Sequence, residues 1–235
     1  MSSKKTAANK RTARAVSIPV PRLYLATPLI SDPAALLMQL HDVLTGFDVA
    51  AVLLRLAQTD ERSMISRVKA IAPVVQQAGA ALLIDQHHDI VARAGADGAH
   101  VSGIEAMQEA MPSLKPERIL GVGALHTRHD AMVAGEAGAD YVLFGELDAE
   151  GQRPSPEAIF ERLQWWAETF EPPGVGYAAT LEETALFAAT GTDFIMTADF
   201  IWNDARGPQA ALADVMAIIA QSHAKAFAPA TAEQD

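Results

Sequence analysis

The residues able to do chemistry in this chain stand where short apolar runs stop. "DVAAVLLRL" carries Arg55 near its end, and "ALLIDQ" runs into Asp85, Gln86, His87, His88 and Asp89. "GAHVS" ends at Ser102, with Gly103, Ile104 and Glu105 behind it. "RILGVGAL" delivers His126, Thr127, Arg128 and His129. "YVLFGEL" ends in Glu146, Leu147 and Asp148, and Arg153 follows. Two later runs stop at Thr180 and around Thr197, Ala198 and Asp199. Loops at strand ends are polar in any fold, so position alone assigns no role. Asp85, Glu105 and His126 stand out because they lie at or just past runs that would aim them into a shared mouth. Carboxylates from separate strand ends offer oxygen ligands to Mg²⁺. A histidine such as His126 can move a proton near neutral pH. Asp89 and His129 read as exposed first-turn residues, and Thr180 as a helix cap. The adjacent His87 and His88 match no zinc spacing.

What positions these residues is announced by a repeated phrase. "AGADGAHV" begins at Ala94, "AGADYVLF" at Ala137 and "TGTDFIMT" at Thr190. A glycine just past a helical stretch takes the left-handed conformation without a Cβ clash. A small residue, an aspartate and an apolar run then start a strand. A recurring helix-to-strand junction implies repeated βα units and a parallel sheet.

Eight strands can be drawn, beginning at Arg22, Asp48, Ala81, Gly98, Arg118, Tyr141, Gly174 and Phe194. Helical segments are expected over Pro33 to Leu44, Asp60 to Ala78 with Pro73 inside, and Thr127 to Ala137. Others are expected over Pro156 to Phe170 and Pro208 to Ser222, and Thr180 to Glu183 reads as a capping box. Near-continuous apolar strands are buried on both faces. Eight units in about 205 residues favour a closed (β/α)₈ TIM barrel, an α/β fold in one domain, over an open sheet. No glycine-rich dinucleotide fingerprint follows the first strand. Chemistry in such a barrel sits at the C-terminal ends of the strands.

Composition narrows the function further. The chain has 235 residues, a net charge of −11 and no cysteine, which removes disulfides and thiolate metal sites. Five of its cations lie in the first 17 residues, which hold no acid. The remainder, at about −16, is a poor partner for nucleic acid, since phosphate recognition needs clustered Lys and Arg. No run reaches the ~18 apolar residues of a membrane span. Residues 1–17 read as a disordered basic tail, 18–225 as the barrel and 226–235 as a flexible end, in a cytoplasmic protein. Trp165 and Trp166 read as a packing anchor, and Trp202, which follows the eighth strand, reads more as packing than as a cover for the mouth.

Two stretches carry a family resemblance: "LLIDQHHDIVARAGADGAHVSG" and "ILGVGALHTRHDAMVAGEAGADYVLFG". In this order they resemble the thiamine-phosphate synthase/TenI family of (β/α)₈ barrels, from about Leu23 to Ala220. The resemblance implies a transferase that joins an aminopyrimidine diphosphate to a thiazole phosphate with Mg²⁺. The alternatives are a thiazole tautomerase working through His126 and a non-catalytic paralogue that binds a small molecule or protein. It implies catalytic roles for His126 and Arg55 and metal ligation by Asp85 and Glu105. Substrate contacts would come from Arg55, Asp85, Gln86, Ser102, Arg153, Ala178, Ala179, Thr197 and Ala198. It also implies small phosphorylated substrates and self-association.

The family pattern is not kept throughout. Leu53 and Ala57 replace a glutamine and a lysine that flank the arginine, and Gln86 replaces a metal-binding aspartate. "GELDAEGQRPS" stands where the family has a cationic loop, leaving Arg153 as the substitute for its lysine. Ala178-Ala179 replaces a phosphate-cradling glycine pair, and Asp199 falls in the phosphate cup. A carboxylate there would repel a phosphate by about 4 kcal/mol per unit charge at 4 Å and an effective dielectric near 20.

Overall fold

A computed structural model describes residues 18–148 and 151–228. The expected tail over 1–17 and the last residues of the expected C-terminal tail lie outside the described residues. The strands are β1 (Arg22–Ala26), β2 (Val49–Leu54), β3 (Ala81–Asp85), β4 (Gly98–Ser102), β5 (Ile119–Gly123), β6 (Tyr141–Phe144), β7 (Gly174–Ala178) and β8 (Phe194–Thr197). They close into one parallel barrel in chain order, with β1 pairing both β2 and β8. The helices are α1 (Ala34–Gly46), α2 (Glu61–Gln77), α3 (Val91–Ala94), α4 (Gly103–Leu114), α5 (Arg128–Ala137), α6 (Pro156–Thr169), α7 (Leu181–Phe187), α8 (Asp199–Trp202) and α9 (Pro208–Phe227). The (β/α)₈ barrel expected from the repeated phrase is the observed fold.

All three glycines of that phrase adopt positive φ: Gly95 at 77°, Gly138 at 102° and Gly191 at 84°. Its aspartates do further work. Asp97 Oδ2 accepts from the Leu82 N–H at 2.7 Å, Asp140 Oδ2 from Leu120 N–H at 2.7 Å, and Asp193 Oδ2 from Gly174 N–H at 2.9 Å. Each carboxylate thus closes an otherwise open donor near the start of the preceding strand, at the bottom of the barrel. The backbone N–H of each aspartate returns a bond to the carbonyl of the same strand residue.

Strand alternation divides the core in two. Tyr24, Ala26, Leu53, Leu83, Tyr141, Leu143, Val175, Met196 and Ala198 fill the barrel interior. The opposite faces, with Leu23, Leu25, Val52, Leu54, Leu82, Ile84 and Val142 among them, pack against the helices. Trp166 is an anchor of this outer layer, 1% exposed and stacked on Phe170 at 4.3 Å. Trp202 packs with the same layer and donates from Nε1 to the Ala26 carbonyl at 2.7 Å, at the end of β1.

Pro73 lies inside α2 without ending it. The Thr180 hydroxyl caps α7 by accepting from Glu183 N–H at 3.2 Å. The Glu183 carboxylate accepts instead from Ala179 N–H, one residue before the position a capping box requires. The full box belongs to α5, between Thr127 and Asp130. Helix α4 starts directly after Ser102, and α9 runs past the expected end at Ser222 to Phe227. Among the described residues no helix is long and apolar enough to cross a membrane.

Candidate active site

Besides a cavity of about 680 Å³ bordered by Arg55, Asp85, Gln86 and Asp199, the C-terminal ends of the strands enclose two further cavities. One, of about 280 Å³, is lined by Arg55, Asp85, Gln86, Ser102, Glu146 and Tyr177 over a floor of Ala26, Leu53 and Met196. The other, of about 250 Å³, lies between β5 and β6, with His126, Glu146, Asp148, Gln152, Arg153 and Arg162 on its wall. Six of the expected residues, Arg55, Asp85, Gln86, Ser102 and, in the second cavity, His126 and Arg153, therefore reach one mouth.

Two arginines expected to bind anions are held by carboxylates of the chain itself. Arg55 donates from Nε to the Thr27 carbonyl and forms an ion pair with Asp199. Asp199 thus faces a cation just past the end of β2, which offsets the repulsion expected of it. Arg153 is more deeply committed. It grips Glu183 through both terminal nitrogens at 2.7 Å, and also donates to the Gly145 and Tyr177 carbonyls. Glu183 is pushed toward a higher pKa by burial, but the hydrogen bonds and charge of Arg153, with Ala179 N–H, more than offset this and leave it lowered.

Beneath the mouth runs a buried polar chain that the sequence reading did not assign. Tyr24 and Tyr141 share a hydrogen bond between their hydroxyls at 2.9 Å. The Tyr141 hydroxyl pairs with His100 Nδ1 at 2.9 Å, and His100 Nε2 meets Glu146 Oε1 at 2.9 Å. His100 is fully buried. Burial alone would depress its pKa, but the charge and hydrogen bond of Glu146, with the charge of Asp85, raise it above the ordinary value. Burial raises both tyrosines, and it raises Asp85 too, where Glu146 adds to the effect and His100 opposes it.

Room for this chain comes from two glycines at i and i+2 on β5. A Cβ on Gly121 would fall 1.9 Å from the Tyr141 ring, and one on Gly123 would fall 1.8 Å from Glu146 Oε2 and 2.9 Å from His100 Nε2. The signal was present in the sequence as a histidine inside an apolar strand, "GAHVS", opposite "GVG". Register across β4 and β5 was needed to connect them.

The backbone is strained at the mouth. Gln86 has φ 64° and Ala124 φ 50°, a region that side-chain-bearing residues seldom occupy. His87 N–H reaches back to the Asp85 carbonyl at 2.8 Å and His88 N–H to that of Gln86 at 3.0 Å, two successive three-residue turns. Such strain concentrates where a fold holds functional side chains.

The remaining candidates are placed less centrally. Glu105 is exposed on the first turn of α4 and lines neither cavity. Ala178 and Thr197 lie on strand faces turned to the helices, Ala198 faces the barrel interior, and Ala179 gives its N–H to Glu183. Asp89 and His129 are exposed on first turns, and Thr180 caps α7, as expected.

Among the described residues no three His, Asp or Glu side chains cluster as a metal site. Mg²⁺, however, commonly takes one or two protein carboxylates and completes its shell with water and substrate phosphates. Asp85 suits that limited arrangement, a partly buried carboxylate beside the Gln86 amide at 3.3 Å.

The sequence pattern of the family described as thiamine monophosphate synthase matches residues 23–200. A thiamine-phosphate synthase of Rhodospirillum centenum is 39% identical over 82% of this chain and 95% of its own length. The chain belongs to the thiamine monophosphate synthase family. A second relative in that family, the thiamine-phosphate synthase of Hyphomonas neptunium, is 34% identical over 83% of this chain and 91% of its own. Among solved structures, thiamine phosphate pyrophosphorylase from Pyrococcus furiosus superposes with a TM-score of 0.69 at 18% identity, covering 86% of this chain and 96% of that one. The 3-hexulose-6-phosphate synthase of Salmonella typhimurium superposes with a TM-score of 0.67 at 16% identity, over 86% of this chain and all of that one (100%). At such identities the superpositions speak to the barrel fold.

Proposed function

We propose that this member of the family is a thiamine-phosphate synthase, joining an aminopyrimidine diphosphate to a thiazole phosphate with release of diphosphate. The observation that carries the reading is its near full-length similarity to relatives of that name, combined with Arg55, Asp85, Gln86 and Ser102 lining one cavity. The pyrimidine methylene–oxygen bond breaks with its electron pair leaving on diphosphate. The thiazole nitrogen then supplies the pair for the new C–N bond. Arg55 binds departing diphosphate once that group displaces Asp199 from the guanidinium. Asp85 would hold Mg²⁺, and the ion when bound would supply neutralisation of charge on the leaving group. Gln86 and Ser102, linked by a 2.8 Å hydrogen bond, orient the ring beside it. The reading carries with it a cytoplasmic setting and self-association of the barrel.

Incubation with both substrates and Mg²⁺ is expected to yield thiamine phosphate and diphosphate in equal amounts. Absence of product at high enzyme concentration would remove the reading. A second reading, ligand binding without turnover, is favoured by one observation: Arg55, Arg153 and Ala179 N–H are all engaged by carboxylates of the chain. Saturation at ~100 Kd adds about 2.7 kcal/mol of stability. A thermal shift of that size without product would select this reading.

A further inference from the structure

Two of the mouth cavities meet at Glu146, the residue common to both linings among the described residues. An enzyme that condenses two molecules can hold them in adjoining compartments, with the new bond forming where the two touch. The side chain at that junction is an acid, held from behind by a fully buried histidine that is in turn held by Tyr141. Its first oxygen is taken by His100, while Oε2 is buried with no hydrogen-bond partner among the described residues. Gly123 leaves the space it occupies. Of the arginines nearby, Arg55 pairs with Asp199, Arg153 with Glu183, and Arg162 donates to the Leu125 and His126 carbonyls.

We propose that Glu146 is a catalytic residue that stabilises positive charge at the point of bond formation, and that His100 is the positioning residue that fixes its carboxylate there. The inference rests on the synthase reading. In that reaction the methylene carbon loses diphosphate with the bonding pair, so positive charge develops on the pyrimidine. The thiazole nitrogen then donates its pair, and the charge ends on the thiazolium ring of the product. No proton is transferred, so the junction calls for a fixed negative charge and not for an acid or base. A carboxylate already held in place meets that need in both the transition state and the product. Glu146 is chosen over His126 because His126 is exposed on its loop, away from the cavity that holds Arg55 and Asp85.

The test compares thiamine phosphate with its neutral thiophene isostere, in which carbon replaces the charged ring nitrogen. Calorimetric titration of the full chain is expected to show the cationic compound binding at least about tenfold more tightly. Glu146→Gln, which keeps the volume and removes the charge, is expected to erase that preference. It should also lower kcat on the order of 10²-fold with little change in KM. If Glu146→Gln fails to fold, Glu146→Asp withdraws the charge by one methylene and should reduce the preference in the same direction. His100→Gln, which keeps a donor near Nε2, is expected to retain most of the preference, and His100→Leu to lose it. Equal affinity for the two compounds in the unmodified protein, or a preference that survives in Glu146→Gln, overturns the proposal while leaving the synthase reading intact. Binding of neither compound together with absence of product removes the synthase reading itself, and this inference with it.

Discussion

The two ends of the barrel solve their polar problems in opposite ways. At the bottom, one device appears three times: a left-handed glycine, then an aspartate bonded to the start of the preceding strand. At the mouth no two strand ends are alike. Arg55 answers Asp199, Arg153 answers Glu183, and His100 answers Glu146, each pair joining elements distant in sequence. Repetition at the bottom reflects a single task, the closing of open backbone donors. Variety at the mouth reflects several tasks, and there charge is placed against charge to hold particular groups in particular places. Bottom substitutions should therefore move stability alone, and mouth substitutions should move function as well.

The largest effect is expected from Glu183→Ala. It leaves the partly buried Arg153 guanidinium without its carboxylate and should cost about 3 kcal/mol in urea unfolding. The same pair gives a pH signature. The pKa of Glu183 is lowered in the fold, so its stabilisation is fully present above the unperturbed value of 4.5 and is lost as pH falls through the lowered value. The stability gap between the native protein and Glu183→Gln should shrink over that acid range. A gap that widens on acidification would contradict the assignment.

Next comes Asp140→Ala at the bottom, which leaves the Leu120 N–H unsatisfied and should cost about 2 kcal/mol. Its kcat/KM is expected to stay within about twofold of the native value, since the altered bond lies at the far end of the barrel. A tenfold loss of activity in this variant would erase the contrast between the two ends.

Asp199→Asn reverses the pattern. The Asp199 side chain is 62% exposed, so the ion pair should contribute under about 1 kcal/mol to stability. Freed of its counter-ion, Arg55 should lower KM for the pyrimidine diphosphate several-fold, more at low salt than at high. An unchanged KM would show that Arg55 does not meet the diphosphate. The smallest effect is expected from Ala124→Gly. Relief of the strain at φ 50° and the added chain entropy of glycine nearly cancel, leaving a change within about 0.5 kcal/mol in thermal unfolding.

Much of the fold was legible because its signals are local. A glycine after a helix and an aspartate before a strand need only their neighbours, so "AGAD" read three times led to the barrel. Strand β4 falls on the drawn "GAHVS", while β2, β3, β5 and β6 end one to three residues before the quoted runs do. Helix α4 was hidden by its opening glycine and by Pro112, both poor interior helix formers. Its formation follows from Met107, Ala110 and Leu114 packing on the barrel.

The site was legible in part and for the same reason. Arg55, Asp85, Gln86 and Ser102 follow apolar runs, and the end of a strand in a barrel is a statement about position. The sequence by itself determined the barrel, the acidic body and which strand ends carry polar groups. Only the tertiary structure decided that Arg55 faces Asp199, that Glu183 takes Arg153, and that His100 and Glu146 meet at the floor of the mouth. Those partners lie 144, 30 and 46 residues apart, and closure of the barrel brings them within hydrogen-bonding distance. Hydrogen bonds and ion pairs act over a few ångströms, so the chain must be folded before it can be known which charges are spent on each other and which are left to meet a ligand.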